Sequence, residues 1–240
     1  VVITNGLSHA HDMTNLQAVK GVVKIKNIGK EPQRIIIYKM DQTMDCVGGG
    51  SFMDADSLSR SNASWINLSA VEEVLDTGQM FELVYEIQKP SDSNIKGSYW
   101  SMIMVENIPD IEAEPEKKGI TVRSNLRYAV QIISNVGEAE SYDMEFDSVF
   151  YDLENQTLEM MISNPTISIM RPYFEVKLYS DSGHTVNVKR ENIVKLYPGT
   201  CRRISIPIED IQQGSYDGVV IAKTEGQGVY GYNVSIEHSP

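Results

Sequence analysis

Apolar and polar residues alternate along most of this chain with a period of two. From Ala18 to Lys26, Val19, Gly21, Val23 and Ile25 share one side, and Lys20, Val22, Lys24 and Lys26 the other. That period predicts a strand with one face on a core and one in water. Residues 27–30 read as a turn, and Ile35-Ile36-Ile37-Tyr38 as a more fully buried, β-branched strand. Residues 45–61, with Gly48-Gly49-Gly50, read as a long loop. Strand character resumes at Trp65-Ile66-Asn67-Leu68. Phe81, Leu83, Tyr85 and Ile87 then alternate with Glu82, Val84, Glu86 and Gln88, and residues 100–105 are apolar on both faces, as in a central strand. Residues 107–118, with two prolines and six charges, predict an exposed connection. In the run that follows, Ile120, Val122, Leu126, Tyr128, Val130 and Ile132 share one side. Thr121, Arg123, Asn125, Arg127 and Gln131 share the other.

Residues 135–141 are polar and predict an interdomain joint. Beyond it the style repeats. Met144, Phe146 and Phe150 share one side of a strand; Leu158, Met160 and Ile162 follow, ending at Asn164-Pro165-Thr166. Phe174, Val176 and Leu178 alternate with Tyr173, Glu175, Lys177 and Tyr179. Ile204, Ile206 and Ile208 make another strand, and Tyr232, Val234 and Ile236 the last. No amphipathic helix of three turns is legible. Many short strands separated by turns predict a sandwich or barrel, and roughly seven strands per ~100 residues is the immunoglobulin-like solution.

One long unit occurs twice. Val74-Leu75-Asp76-Thr77-Gly78-Gln79-Met80-Phe81-Glu82-Leu83 precedes Gly97-Ser98-Tyr99-Trp100. Lys195-Leu196-Tyr197-Pro198-Gly199-Thr200-Cys201-Arg202-Arg203-Ile204 precedes Gly214-Ser215-Tyr216-Asp217. Each copy reads as turn, alternating strand, Gly-Ser-Tyr turn and second strand. The expected fold class is therefore all-β, with two tandem immunoglobulin-like β-sandwich domains at residues 1–136 and 137–240. At 240 residues, each half is long enough to bury a core.

The net charge of −12 narrows the partners. Residues 1–136 carry 13 Lys and Arg against 17 Asp and Glu; the remainder carries 8 against 16. An acidic surface disfavours nucleic acid and anionic lipid, so neither is expected as a partner. No apolar run reaches the length of a membrane-spanning helix. The chain opens Val1-Val2-Ile3 without an initiator Met, which suggests a processed or trimmed N-terminus. Cys46 and Cys201 fall one in each predicted domain, so a disulfide would have to join the two halves and is not expected. Neither has a metal-ligand neighbour.

Catalytic constellations are missing from the sequence. His9-Ala10-His11-Asp12 puts two imidazoles on one side of a strand, but His184 and His238 lack a matching context, and a metal site needs three or four ligands. A solvated segment is the expected state, with no metal and no cofactor. Ser93-Asn94-Ile95-Lys96 matches Ser-x-x-Lys in a polar loop rather than at a helix start, and no Gly-x-Ser-x-Gly elbow occurs. Glu72-Glu73 and Asp54/Asp56 read as solvated loop acids. No Gly-rich loop leads from a strand into a helix. Trp65, Tyr99 and Trp100 could stack on a sugar, but Trp in a sandwich more often fills the core. Tyr173 and Tyr179, on a polar face, are the better surface contacts.

The stretch Gly97-Ser98-Tyr99-Trp100-Ser101-Met102-Ile103-Met104-Val105-Glu106-Asn107-Ile108-Pro109, its charged loop and the arginine-bearing strand after it resemble the N-terminal domain of periplasmic pilus-assembly chaperones. The tandem layout, with Pro198-Gly199 before the second domain's penultimate hairpin, also resembles surface proteins of WxL-domain complexes, which pair a peptidoglycan-binding domain with a partner-binding sandwich. Both resemblances imply immunoglobulin-like domains in an exported bacterial envelope protein that is not an enzyme. The chaperone resemblance implies that a basic residue of the last strand, Arg123 or Arg127, contacts the client. Residues 1–13 hold no Lys or Arg to act as its second anchor, and the face carrying Arg123 and Arg127 is polar. The leading expectation is thus non-catalytic binding of an envelope protein or a peptidoglycan-type glycan, in the periplasm or at the cell surface. The alternative is a periplasmic chaperone for surface or pilus subunits.

Overall fold

The computed structural model describes residues 1–91, 94–108, 126–137, 143–190, 195–208, 211–224 and 228–238. Among these the chain is all β apart from a 3₁₀ turn at Ala63–Trp65. The strands are β1 (Val2–Ile3), β2 (Ser8–Asp12), β3 (Ala18–Lys26), β4 (Gln33–Gln42), β5 (Phe52–Asp54), β6 (Ile66–Leu68), β7 (Glu72–Leu75), β8 (Met80–Gln88), β9 (Gly97–Ile108) and β10 (Arg127–Val136), followed by β11 (Glu145–Asp152), β12 (Thr157–Ser163), β13 (Pro172–Ser180), β14 (Thr185–Arg190), β15 (Cys201–Pro207), β16 (Gly214–Thr224) and β17 (Gly228–His238). They form two compact units. One comprises Val1–Thr43 with Ser51–Glu138, the other Met44–Gly50 with Ala139–Pro240.

The first unit is a sandwich of a sheet in the order β1-β3-β8-β6 on one ordered β2-β10-β9-β4-β5, with β7 also on β4. Between the sheets lie Val23, Ile25, Ile35, Ile37, Leu83, Tyr85, Ile87, Ile103, Val105, Val130 and Ile132; those from β3, β8 and β10 are the positions the two-residue period assigns to the core. The second unit packs β11-β12-β15 on β14-β13-β16-β17 around Leu158, Met160, Ile162, Phe174, Val176, Leu178, Ile204, Ile206 and Val220. Both are immunoglobulin-like. The order β10-β9-β4 with the pair β3-β8 in one unit matches β17-β16-β13 with β12-β15 in the other.

The repeated sequence unit has a structural reason. Asn27, fully buried, donates from Nδ2 to the carbonyls of Glu31 (2.8 Å) and Leu75 (3.0 Å) and accepts the Gly29 N–H at Oδ1 (2.9 Å). Its carbonyl accepts the Gly78 N–H, and its N–H donates to Gln79. Asn164, also buried, repeats this. Its Nδ2 donates to Ser168 (2.8 Å) and Leu196 (3.0 Å), its Oδ1 accepts the Thr166 N–H, and its backbone pairs with Gly199 and Thr200. The Leu-x-x-Gly turns of the repeat are thus the receptors for two equivalent buried asparagines. Gly78 and Gly199 have φ of +78° and +67°, where a side chain is disfavoured. The Gly-Ser-Tyr segments expected as turns open β9 and β16 instead.

Three other expectations are corrected. Cys46 and Cys201 form a disulfide, with Cα atoms 4.7 Å apart across 155 residues of sequence. The segment Met44–Gly50 belongs to the second unit, and Arg203 donates its N–H to the Cys46 carbonyl there. A loop without periodicity gives no clue to the body it joins, so counting one cysteine per half misled. Second, a bulge between Phe146 and Ser148 reverses the alternation of β11. Val149 and Tyr151 pack on the core, while Phe150 is exposed. Third, the 45–61 loop contains β5, and Glu72 and Glu73 lie in β7 rather than a loop.

Candidate functional site

In the sheet β2-β10-β9-β4-β5, β2 covers only part of the outer edge of β10. It pairs in parallel from Gln131 opposite Ser8 to Asn135 opposite Asp12, and the Gln131 N–H donates to the Leu7 carbonyl. Among the described residues, no strand lies beside residues 127–130 on that edge. Backbone groups alternate in direction along a strand. Gln131 turns its N–H toward β2, so Arg127 and Ala129 turn their N–H and C=O groups toward the same, unoccupied side. Tyr128 and Val130 point into the sandwich. The result is a short template for an added strand.

Arg127 lies at the start of this edge, directly opposite Glu106 on β9. Its Nη1 donates to the Tyr38 hydroxyl (3.2 Å), which donates to Glu106 Oε2 (2.7 Å). The guanidinium lies 5.7 Å from the centre of the Phe52 ring, a cation–π distance. Partial burial first, then the bond to Glu106, raises the Tyr38 hydroxyl above its ordinary range. Tyr38 thus stays a neutral phenol that relays between cation and carboxylate. Arg127 is exposed yet held on two sides. Arg123, the other arginine expected to contact a partner, lies outside the described residues, as does Ser93 of the Ser-x-x-Lys match.

His9 and His11 converge on one atom. On β2 both face inward, and His9 Nδ1 and His11 Nε2 lie 3.0 and 2.9 Å from the Tyr85 hydroxyl. Tyr85 reaches them because Gly21 stands opposite it in the β3–β8 ladder. A Cβ at Gly21 would lie 2.2 Å from the Tyr85 ring. Burial lifts the Tyr85 hydroxyl to about 12, and burial, then the nearby His9, holds His11 below its ordinary range. The expected solvated segment is therefore corrected: both histidines are half-buried and bonded. The isolated glycine of β3 was the one sequence signal for this approach.

Trp65 and Trp100 are 7% and 4% exposed, and Trp65 packs on Tyr99 with ring centres 4.7 Å apart. Trp65 joins the core between the sheets, as the core reading expects, whereas Trp100 is buried outside that cluster, and neither presents an open face to a sugar. Tyr179 is exposed on the outer face of β13, and Tyr173 lies under Lys189 at 5.9 Å. Among the described residues, no three His, Cys, Asp or Glu side chains converge as metal ligands, and no helix is long and apolar enough to cross a membrane.

The fold of two immunoglobulin-like sandwiches in one chain has solved counterparts. The chain is similar over 99% of its length to 99% of a class 5 fimbriae chaperone, CfaA, at 14% identity and a TM-score of 0.53. It is similar over 98% of its length to 99% of a chain from a chaperone–tip adhesin complex of CFA/I fimbriae biogenesis, at 15% identity and a TM-score of 0.54. The fold expected from the pilus-assembly chaperone resemblance is the fold observed. No protein-family model matches the chain, and no curated protein matches it.

Proposed function

We propose that this protein is an assembly chaperone of the bacterial envelope, which holds an extended segment of a surface or pilus subunit along the open edge of β10. The observation that carries the reading is that edge, where among the described residues no strand lies beside the outward backbone groups of Arg127 and Ala129, next to an anchored guanidinium. An edge strand recruits a partner strand through main-chain hydrogen bonds, and side chains on alternate positions select it. A fold shared end to end with a fimbrial chaperone supports the reading. So does the Cys46–Cys201 disulfide, because such bonds persist in oxidising compartments such as the periplasm. The work is binding without catalysis. Arg127, and Arg123 beyond the described residues, are the proposed client contacts.

This reverses the order of the two functions expected from sequence. A peptidoglycan-type glycan loses its stacking platform with both tryptophans buried. An envelope protein is the partner that an open strand edge suits.

The test is co-expression with a fimbrial subunit. The protein is expected to keep the subunit soluble in a near-equal complex. Ala129→Pro removes one N–H from the open edge and none from the β9 ladder, so the fold is retained. It is expected to weaken the complex at least tenfold. Equal subunit recovery with and without the protein would refute the chaperone reading. Unchanged binding by the proline variant would refute the edge.

A further inference from the structure

We propose that His9, His11 and Tyr85 form a binding site for copper(II), a role separate from client binding at β10. Three donors from two sheets converge: His9 Nδ1 and His11 Nε2 on β2, each within 3.0 Å of the phenol oxygen on β8. His9 Nε2 faces the Asn5 carbonyl at 3.3 Å. A carbonyl only accepts, so Nε2 carries the hydrogen and Nδ1 presents its lone pair to Tyr85. Metal-bound imidazoles are commonly fixed in this way, with the second nitrogen donating to a carbonyl.

The donor set selects the metal. Two imidazole nitrogens and one phenol oxygen suit copper(II), with nickel(II) second. Solvent supplies the remaining position, since both histidines are only half-buried.

Binding balances without any redox step. Tyr85 loses its hydroxyl proton to solvent and becomes a phenolate ligand. The proton on His11 Nε2, which now donates to the phenol oxygen, moves through solvent to Nδ1 and frees the Nε2 lone pair. His9 keeps its tautomer, and its ring turns from the phenol oxygen toward the ion. The ion would tie β2 to β8 by coordination in place of hydrogen bonds.

The full chain is titrated with copper(II) at neutral pH. One equivalent is expected to bind, raise the thermal midpoint and produce a visible phenolate-to-copper charge-transfer band. Tyr85→Phe is expected to abolish the band and weaken binding at least tenfold. His9→Ala/His11→Ala, on a half-exposed strand, provides a second arm checked for fold by circular dichroism, with the same expected loss. No band in the wild-type protein would overturn the proposal, as would copper bound equally tightly by the double variant.

Discussion

Replacing Asn27 with alanine tests the account of the repeat most directly. The side chain makes three hydrogen bonds, to Glu31 and Leu75 as donor and from Gly29 as acceptor. Removing it leaves two carbonyls and one N–H without these partners. Glu31 and Gly29 lie near the surface and can regain water, so most of their loss is recovered. Leu75 and position 27 are fully buried. A buried polar group left unpaired costs about 1–3 kcal/mol, and a partner exchanged for water costs about 0.5–1.5 kcal/mol. The sum is about 3 kcal/mol. With a urea slope of about 2 kcal/mol/M, the unfolding midpoint should fall by about 1.5 M. Both tryptophans, Trp65 and Trp100, are buried in the first unit, so tryptophan fluorescence reports the transition of that unit. Ile28→Ala, at a residue 66% exposed, is the control and should stay within about 0.5 kcal/mol. A shift for Asn27→Ala no larger than the control's would refute the argument that the turn is held by this side chain.

Asn164→Ala removes an equivalent set of bonds, with the Thr166 hydroxyl as an additional donor to Oδ1, so a loss at least as large is expected in urea unfolding followed by circular dichroism. The Cys46–Cys201 bond spans 155 residues; chain entropy puts its contribution at up to about 5 kcal/mol, with about 2–4 usual for disulfides. Reductant should lower the wild-type urea midpoint and leave that of Cys46→Ser/Cys201→Ser unchanged; an equal effect on both would show that the bond contributes nothing. Gly21→Ala drives a methyl into the Tyr85 ring and should cost about 1–3 kcal/mol by overpacking, whereas a neutral result would mean that the ring has another place to go. His11 titrates lower folded than its ordinary 6.5. The unfolded state therefore binds more protons in the window below pH 6.5, and stability is full above 6.5 and declines as pH falls through it. His11→Gln should flatten that decline between pH 7 and pH 5 in thermal melts, and an unaltered slope would reject His11 as its source.

The strand pattern was legible because the period of two is a local property. Leu83, Tyr85 and Ile87 face the core in the ladder as they do in the sequence, and Phe174, Val176 and Leu178 do the same. Alternation failed where a strand gained a residue. At Phe146 and Ser148 the bulge moved Phe150 outward, and no residue type announced it. The repeat was legible as architecture, but not its cause, since Asn27 and Leu75 are 48 residues apart.

The sequence by itself determined two all-β sandwiches, the inward and outward sides of most strands, and Arg127 on the outer side of the last strand of the first. Those follow from side-chain direction, which each strand decides alone. Tertiary structure decided everything that depends on which distant segments meet. It placed Cys46 beside Cys201, aimed His9 and His11 at Tyr85 across the gap that Gly21 leaves, and ended the β2 pairing at Gln131, so that among the described residues no strand lies beside Arg127 and Ala129. Such meetings depend on sheet order and register, and the spacing of residues along one chain contains neither.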